Sequence, residues 1–238
     1  DLVRSRGLGD VYKRQESTLE EIVKVAKELG YRGIGFISYP LKKDEENILM
    51  AEIKRVSSQY NFEIYFGYEA TNSKELSYLL KRRKELDLIL VRGGLTSLNR
   101  KAVESRGIDL LTHPNYNRKD CGINHISAKF ARENEVGIEI NFREVLNSEG
   151  FQRMQIVKHH REIINLYKKY KFPLIVSSGA LSHWQIKDPK VLISYLVTLG
   201  LEIKEAKKAL SETPKKIIER AKEWKSEKWI MRGVKLLD

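Results

Sequence analysis

The chain has 238 residues, 41% hydrophobic and 32% charged, enough for one sizeable core without disulfides or metals and without the run of about 18 apolar residues that a membrane-spanning helix needs. Its one cysteine, Cys121, forbids an internal disulfide and fits a reducing cytoplasm. The net charge of +12 is lopsided, with 25 basic and 23 acidic side chains in residues 1–150 against 19 and 9 in residues 151–238; this fits either a polyanionic partner such as nucleic acid or a Lys/Glu-rich, thermophile-like surface.

Residues 1–15 show no helical or strand period. The stretch Gly7-Leu8-Gly9-Asp10-Val11-Tyr12-Lys13-Arg14-Gln15 resembles a translated sequencing adapter, so residues 1–15 are set aside as a non-native or irregular segment and one domain is expected over 16–238. Ser17 or Thr18 can cap a first helix, with Glu20 and Glu21 in its first turn. Leu19, Ile22, Val23, Ala26 and Leu29 then recur at helical spacing up to Gly30. Short apolar strands are predicted at 33–38, 62–70, 87–91, 108–112, 136–141 and 173–177. Helices are predicted at 44–60, 73–83, 98–105, 122–133, 150–170, 189–199, 203–210 and 214–225, the last with Pro214 at its first position behind Thr213.

Six strands alternating with amphipathic helices predict an α/β protein with a parallel, helix-covered sheet. Their even spacing favours a TIM-like (β/α) barrel of about seven strands, the first lost or altered, with extra C-terminal helices. No Gly-x-Gly-x-x-Gly follows a strand, which removes the main support for a dinucleotide-binding sheet. A gap beside an altered first strand would bare unpaired strand edges, to be filled by residues 10–14 or covered by an oligomer.

In such barrels function sits at the C-terminal strand ends. Here those ends carry Ser38, Arg92, His113, Asn141, Ser177 and Ser178, a polar ring with few acids that reads as a binding mouth or as ordinary strand-end capping. In the stretch from Thr112 to His125, Arg118 and Lys119 precede a helix start with Asp120 as the expected cap. Free N–H groups there would cradle a phosphate beside the two cations; the plainer alternative is a solvated loop. His125 and Lys129 share one helix face, and Tyr116 is either a packing residue or a platform for a base.

Hydrolase readings find less support. None of the five histidines forms His-x-His, the adjacent His159 and His160 point in different directions, and strand ends poor in acids suit a cation badly. Ser177 and Ser178 lack the Gly-x-Ser-x-Gly elbow, and Cys121 with His113 or His125 makes a weak cysteine–histidine pair. Towards the C-terminus, Lys204, Lys207, Lys208, Lys215, Lys216, Arg220 and Lys222 lie on successive helices, with Trp224 and Trp229 among Lys225 and Lys228. Basic residues with aromatics can bind nucleic acid; equally, they can form a solvated helix face with the Trp rings packed on the barrel.

The run Arg118-Lys119-Asp120-Cys121-Gly122-Ile123-Asn124-His125 follows Leu111-Thr112-His113-Pro114 and precedes Val136-Gly137-Ile138-Glu139-Ile140. With Leu174-Ile175-Val176-Ser177-Ser178-Gly179-Ala180 further on, it resembles the archaeal ribonuclease P protein component 3 family, counterpart of the eukaryotic thirty-kilodalton subunit. The resemblance runs from about Glu16 to Trp224. It departs from the family in the unrecognisable first strand and in Asn124, where an acid is usual.

The resemblance implies a barrel related to polymerase-and-histidinol-phosphatase domains without their full metal set. It implies a subunit of the ribonucleoprotein that removes the 5′ leader from precursor tRNA, with catalysis and Mg2+ on the RNA and no cofactor bound by the protein. The partners so implied are ribonuclease P RNA, precursor tRNA and a small ferredoxin-like subunit, in the cytoplasm and with no membrane. On this basis Arg92, Arg100, Arg118, Lys119, Lys129 and Lys158 are the expected phosphate contacts, with His125 orienting the loop. The alternative is a stand-alone metal-dependent phosphoesterase on the same barrel.

Overall fold

A computed structural model of the chain describes residues 2–4, 17–226, 229–231 and 234–235. Strands and helices alternate as β1 (Leu2–Arg4), α1 (Leu19–Glu28), β2 (Gly33–Ser38), α2 (Lys43–Tyr60), β3 (Glu63–Ala70), α3 (Ser73–Lys81), β4 (Leu88–Arg92), α4 (Thr96–Glu104), β5 (Leu110–Thr112), α5 (His125–Glu133) and β6 (Gly137–Asn141). The short α6 (Phe142–Leu146) and long α7 (Gly150–Tyr170) lead to β7 (Leu174–Ser177), and α8 (Pro189–Thr198), α9 (Ile203–Leu210) and α10 (Glu212–Lys225) follow. Two further strands, β8 (Trp229–Met231) and β9 (Val234–Lys235), pair antiparallel with each other.

Each of β1 to β7 lies beside its sequence neighbour, and every ladder is parallel. This is the singly wound order of a TIM-like barrel. Its first position, expected to be lost or altered, is held by Leu2–Arg4, which pairs with Gly35–Ile37. Setting residues 1–15 aside left out this strand, because three residues flanked by no periodic run carry no readable period. Residues 10–14, expected in the gap, lie outside the described residues. Side chains span the two ends of the sheet. Ser17 Oγ accepts from the His183 N–H at 2.9 Å and lies 2.6 Å from its Nδ1. The Tyr31 hydroxyl donates to the Lys187 carbonyl at 2.8 Å. Both bonds tie the first β/α unit to the segment after β7.

Alternation along the strands sorts the core into two layers. Residues such as Phe36, Phe66, Ile89, Leu111, Ile138 and Val176 face the helices. Ile37, Leu88, Leu90, Leu110 and Ile175 face inward and close on Ile217 of α10. Thus α10 plugs the N-terminal end of the barrel. Two of its cations turn to the barrel: Arg220 donates to the Glu135 carbonyl at 2.5 Å and to Asp109 at 3.2 Å, and Lys225 pairs with Asp87 at 2.7 Å. Asp109, almost fully buried, also takes Arg83 at 3.2 Å and the Ile89 N–H at 2.8 Å. Trp224 stacks over the Arg83 guanidinium.

Of the two alternatives for this end, the packed one holds for Trp224, Arg220 and Lys225. Arg220, Lys222 (3.4 Å from the Tyr65 hydroxyl), Lys225 and Trp224 hold α10 on the barrel. Lys204, Lys207, Lys215 and Lys216 remain on the solvent side. Lys228 and the Trp229 side chain lie outside the described residues. The last helix starts at Glu212, so Pro214 is its third residue rather than its first, still within the turn whose N–H groups have no intrahelical partner.

Candidate nucleic-acid interface

The inward positions at the C-terminal strand ends form a polar layer above the apolar one. Two buried acids organise it. Glu69 of β3 accepts from the Thr112 hydroxyl and lies 3.5 Å from Arg92 Nη1. Glu139 of β6 accepts from the Ser177 hydroxyl at 2.6 Å and from the Asn141 amide at 3.3 Å. A third acid, Glu144 on α6, accepts from the Asn115 amide at 3.0 Å and is bracketed by His113 Nδ1 and His160 Nε2, while His160 Nδ1 lies 2.7 Å from the Tyr195 hydroxyl. Burial alone would raise the Glu144 carboxyl, but the hydrogen bonds and charges of the two histidines outweigh it and hold the group well below the usual carboxylate range.

The expectation of strand ends poor in acids is therefore corrected. Glu69 and Glu139 sit one and two residues inside the strand ends, at positions that period-two alternation turns inward. Glu144 lies on a helix of five residues, too short to read from a period. All three carboxylates already hold hydrogen-bond donors. Among the described residues no three His, Cys, Asp or Glu side chains gather in a metal-holding arrangement. His159 and His160 are both buried and, as expected, turn to different neighbours, His160 reaching Glu144 and Tyr195.

The two loops above this layer lock together. The buried Asn99 of α4 takes the Gly94 N–H on its Oδ1 at 2.9 Å and donates to the Pro114 and Gly122 carbonyls at 2.9 and 2.7 Å. Gly122 has φ +79°, and a Cβ there would meet the Pro114 oxygen at 1.8 Å, so only glycine fits. Arg118 Nε and Nη2 grip Asp120 at 2.6 and 2.8 Å; its Nη1 donates to the Gly94 carbonyl at 3.0 Å and the Thr96 hydroxyl at 2.8 Å. The hydrogen bonds from Arg118 hold the Asp120 carboxyl below its usual range.

Asp120 does not cap α5. It accepts the Gly122 N–H at 2.8 Å, and Asn124 is the N-cap, taking the Ile126 and Ser127 N–H groups at 3.0 and 2.9 Å. These bonds consume the donors expected to cradle a phosphate, which corrects that reading. They also account for Asn124, whose Oδ1 caps as well as the usual acid. Cys121 is buried and donates to the Ile123 carbonyl at 3.1 Å. Burial pushes its thiol up, the reverse of what a nucleophilic thiolate requires.

The structure brings Arg92, Arg118 and Lys119 together on these loops. Lys119 is exposed, whereas Arg92 lies under the Tyr116 ring, 4.9 Å from its centroid. Arg100 is apart from them, on the outer face of α4 and paired with Glu104 at 2.6 Å. His125 and Lys129 are exposed on α5, which packs against α7. There Lys158 borders a groove with Arg153, Met154, Val157 and Arg161. Arg153 and Arg161 were not singled out from sequence, although Arg161, three residues on from Lys158, shares its helix face.

A family model described as RNase P subunit p30 matches residues 3–226. Ribonuclease P protein component 3 of Methanococcoides burtonii is 33% identical over 231 residues, covering 94% of this chain and 89% of that protein. The protein of the same name from Methanocaldococcus jannaschii is 35% identical over 201 residues, 83% of this chain and 85% of that one. Among solved structures, a chain in the cryo-EM structure of archaeal Ribonuclease P with mature tRNA aligns with a TM-score of 0.83 at 31% identity, covering 100% of this chain and 97% of its own.

Proposed function

The chain belongs to the ribonuclease P subunit p30 family, and on that premise we propose that it is a protein subunit of the ribonuclease P ribonucleoprotein, helping to fold and hold the RNA that removes the 5′ leader from precursor tRNA. In this reading bond breaking, and the Mg2+ that serves it, belong to the RNA, and the protein has no independent activity. Its partners are ribonuclease P RNA, precursor tRNA within the particle and a small ferredoxin-like subunit, and it acts in the cytoplasm. No helix among the described residues is long and apolar enough to cross a membrane.

The observation that carries the reading is the full-length match to a chain of an archaeal ribonuclease P particle bound to tRNA. The geometry supports it. The loops at the mouth are rigid and basic, and the acids beneath them are masked by their own donors, so a polyanion meets cations first. Lys119, Lys129 and Lys158, exposed, are the direct phosphate contacts. Arg92 and Arg118 shape the loops that present them, His125 orients the start of α5, and Arg100 adds a peripheral charge. Reconstitution tests the reading. Adding the full chain and the small partner subunit to an archaeal ribonuclease P RNA should raise the rate of precursor-tRNA cleavage at low Mg2+ concentration. An unchanged rate, with the RNA and partner shown to be competent, would overturn it.

A further inference from the structure

Tyr116 is 47% exposed and Leu95 is 65% exposed, yet the loops that carry them are fixed by the Asn99 and Arg118 bonds described above. Exposed apolar side chains on mobile tips need no explanation. Here the chain spends a buried asparagine, a four-point arginine clamp and an obligatory glycine on holding an aromatic ring outward. The ring itself is seated. Arg92 lies against one of its faces, and Gly94 (φ +119°) brings its backbone so close that a Cβ would meet the Tyr116 carbonyl oxygen at 2.9 Å and the ring at 3.5 Å. Three residues on, Lys119 is exposed and makes no ion pair among the described residues.

We infer that Tyr116 is a stacking platform for one unpaired nucleobase at the rim of the barrel mouth. This rests on the RNA-binding reading above and adds to it a class of ligand, single-stranded rather than helical RNA. A flat ring backed by a guanidinium offers its free side to another π-face, and stacking of this kind tolerates any base. Bases splayed from loops and bulges are what RNA offers to such rings, since a paired base in an A-form helix is covered by its neighbours. Lys119 then meets the phosphate adjoining the stacked nucleotide.

The test uses the full chain and two probes, a blunt RNA duplex and the same duplex with a single-stranded overhang containing 2-aminopurine. The wild-type protein should bind the overhang form more tightly and quench the 2-aminopurine. Tyr116→Ala should weaken binding to the overhang form about tenfold, abolish the quenching and leave the blunt duplex unaffected. Tyr116→Trp should keep both signals. Tyr116→Leu, which keeps an apolar contact but no ring, should behave like the alanine variant.

Equal losses on the two probes, or no loss on either, would overturn the stacking role while leaving RNA binding in place. So would Tyr116→Leu retaining the overhang preference, or Tyr116→Ala failing only to assemble with the small partner subunit, which would make the shelf a protein-docking face. A wild-type chain that binds neither RNA would bring down the RNA reading itself.

Discussion

Arg118 separates two ideas that the sequence alone leaves merged, a cation that meets RNA and a cation that builds the surface RNA meets. Its guanidinium makes two bonds to Asp120 and one each to the Gly94 carbonyl and the Thr96 hydroxyl, joining the loop after β4 to the loop after β5. The Asp120 side chain is 63% exposed, so solvent screening limits the ion pair to about 1 kcal/mol even though it is bidentate. The two remaining hydrogen bonds add about 0.5–1.5 kcal/mol each. Arg118→Ala should therefore destabilise the protein by about 2–4 kcal/mol, roughly 4–16 °C in Tm for a domain of this size. Lys119→Ala, which removes an exposed cation, should stay within about 0.5 kcal/mol of wild type. RNA affinity against salt should invert the order: Lys119→Ala lowers the slope by about 0.7–0.9 of a charge, while Arg118→Ala changes affinity mainly through the loop it releases. Urea unfolding and a salt titration of RNA binding measure both. Arg118→Ala with unchanged stability and a slope reduced by about one charge would refute the clamp and make Arg118 the phosphate contact.

Two further outcomes follow from buried groups. Ile217 is the α10 side chain that closes the inward core with Leu88, Leu90 and Leu110. Ile217→Ala should cost about 2–5 kcal/mol in urea unfolding, and a cost under about 0.5 kcal/mol would mean that α10 does not plug the barrel. The Glu144 carboxylate is held below its ordinary value by His113 and His160. A group depressed in this way adds stability that is complete above its unfolded value of about 4.3 and is lost as the pH falls towards the folded value. Glu144→Gln should therefore lower Tm at neutral pH and flatten its decline on acidification, and parallel profiles for the two proteins would show that Glu144 does not carry this dependence.

The strands and helices were legible because they obey simple periods. The helix from Gly150 to Tyr170 and the strand from Gly33 to Ser38 fall where the sequence places them, since apolar spacing and flanking glycines or capping residues agree. What escaped lacks a period. Leu2–Arg4 is three residues long and α6 is five, while β8 and β9 are three and two residues long. The start of α5 was misplaced because Asp120 and Asn124 are both good caps, and only the positions of Gly122 and Arg118 decide that Asp120 turns to them instead. Among the site residues, sequence found the cations and missed their partners. Glu69 and Glu144 come from other strands and loops than Arg92 and His113, and nothing local couples them.

The charge surplus of the C-terminal third shows why composition alone misleads about the interface. Residues 151–238 carry 19 basic and 9 acidic side chains, and an undivided count makes this the obvious polyanion surface. The structure divides it by function. Arg220 and Lys225 are spent on Asp109, the Glu135 carbonyl and Asp87, so they neutralise acids set just before strands at the barrel floor. Removing either would leave a carboxylate with fewer partners rather than a weaker grip on phosphate. Of the cations lining the groove on α7, Arg153 is tied through its Nε to the Val145 and Ser148 carbonyls, whereas Lys158 and Arg161 face outward; α7 packs beside α5 and its exposed Lys129. On the RNA-binding reading proposed above, the expected contacts are Lys119 on the loop after β5, Lys129 on α5 and Lys158 on α7, all exposed. They draw on a segment of nearly balanced charge as much as on the basic one. Net charge locates a partner's sign, but the fold decides which cations are left to meet it.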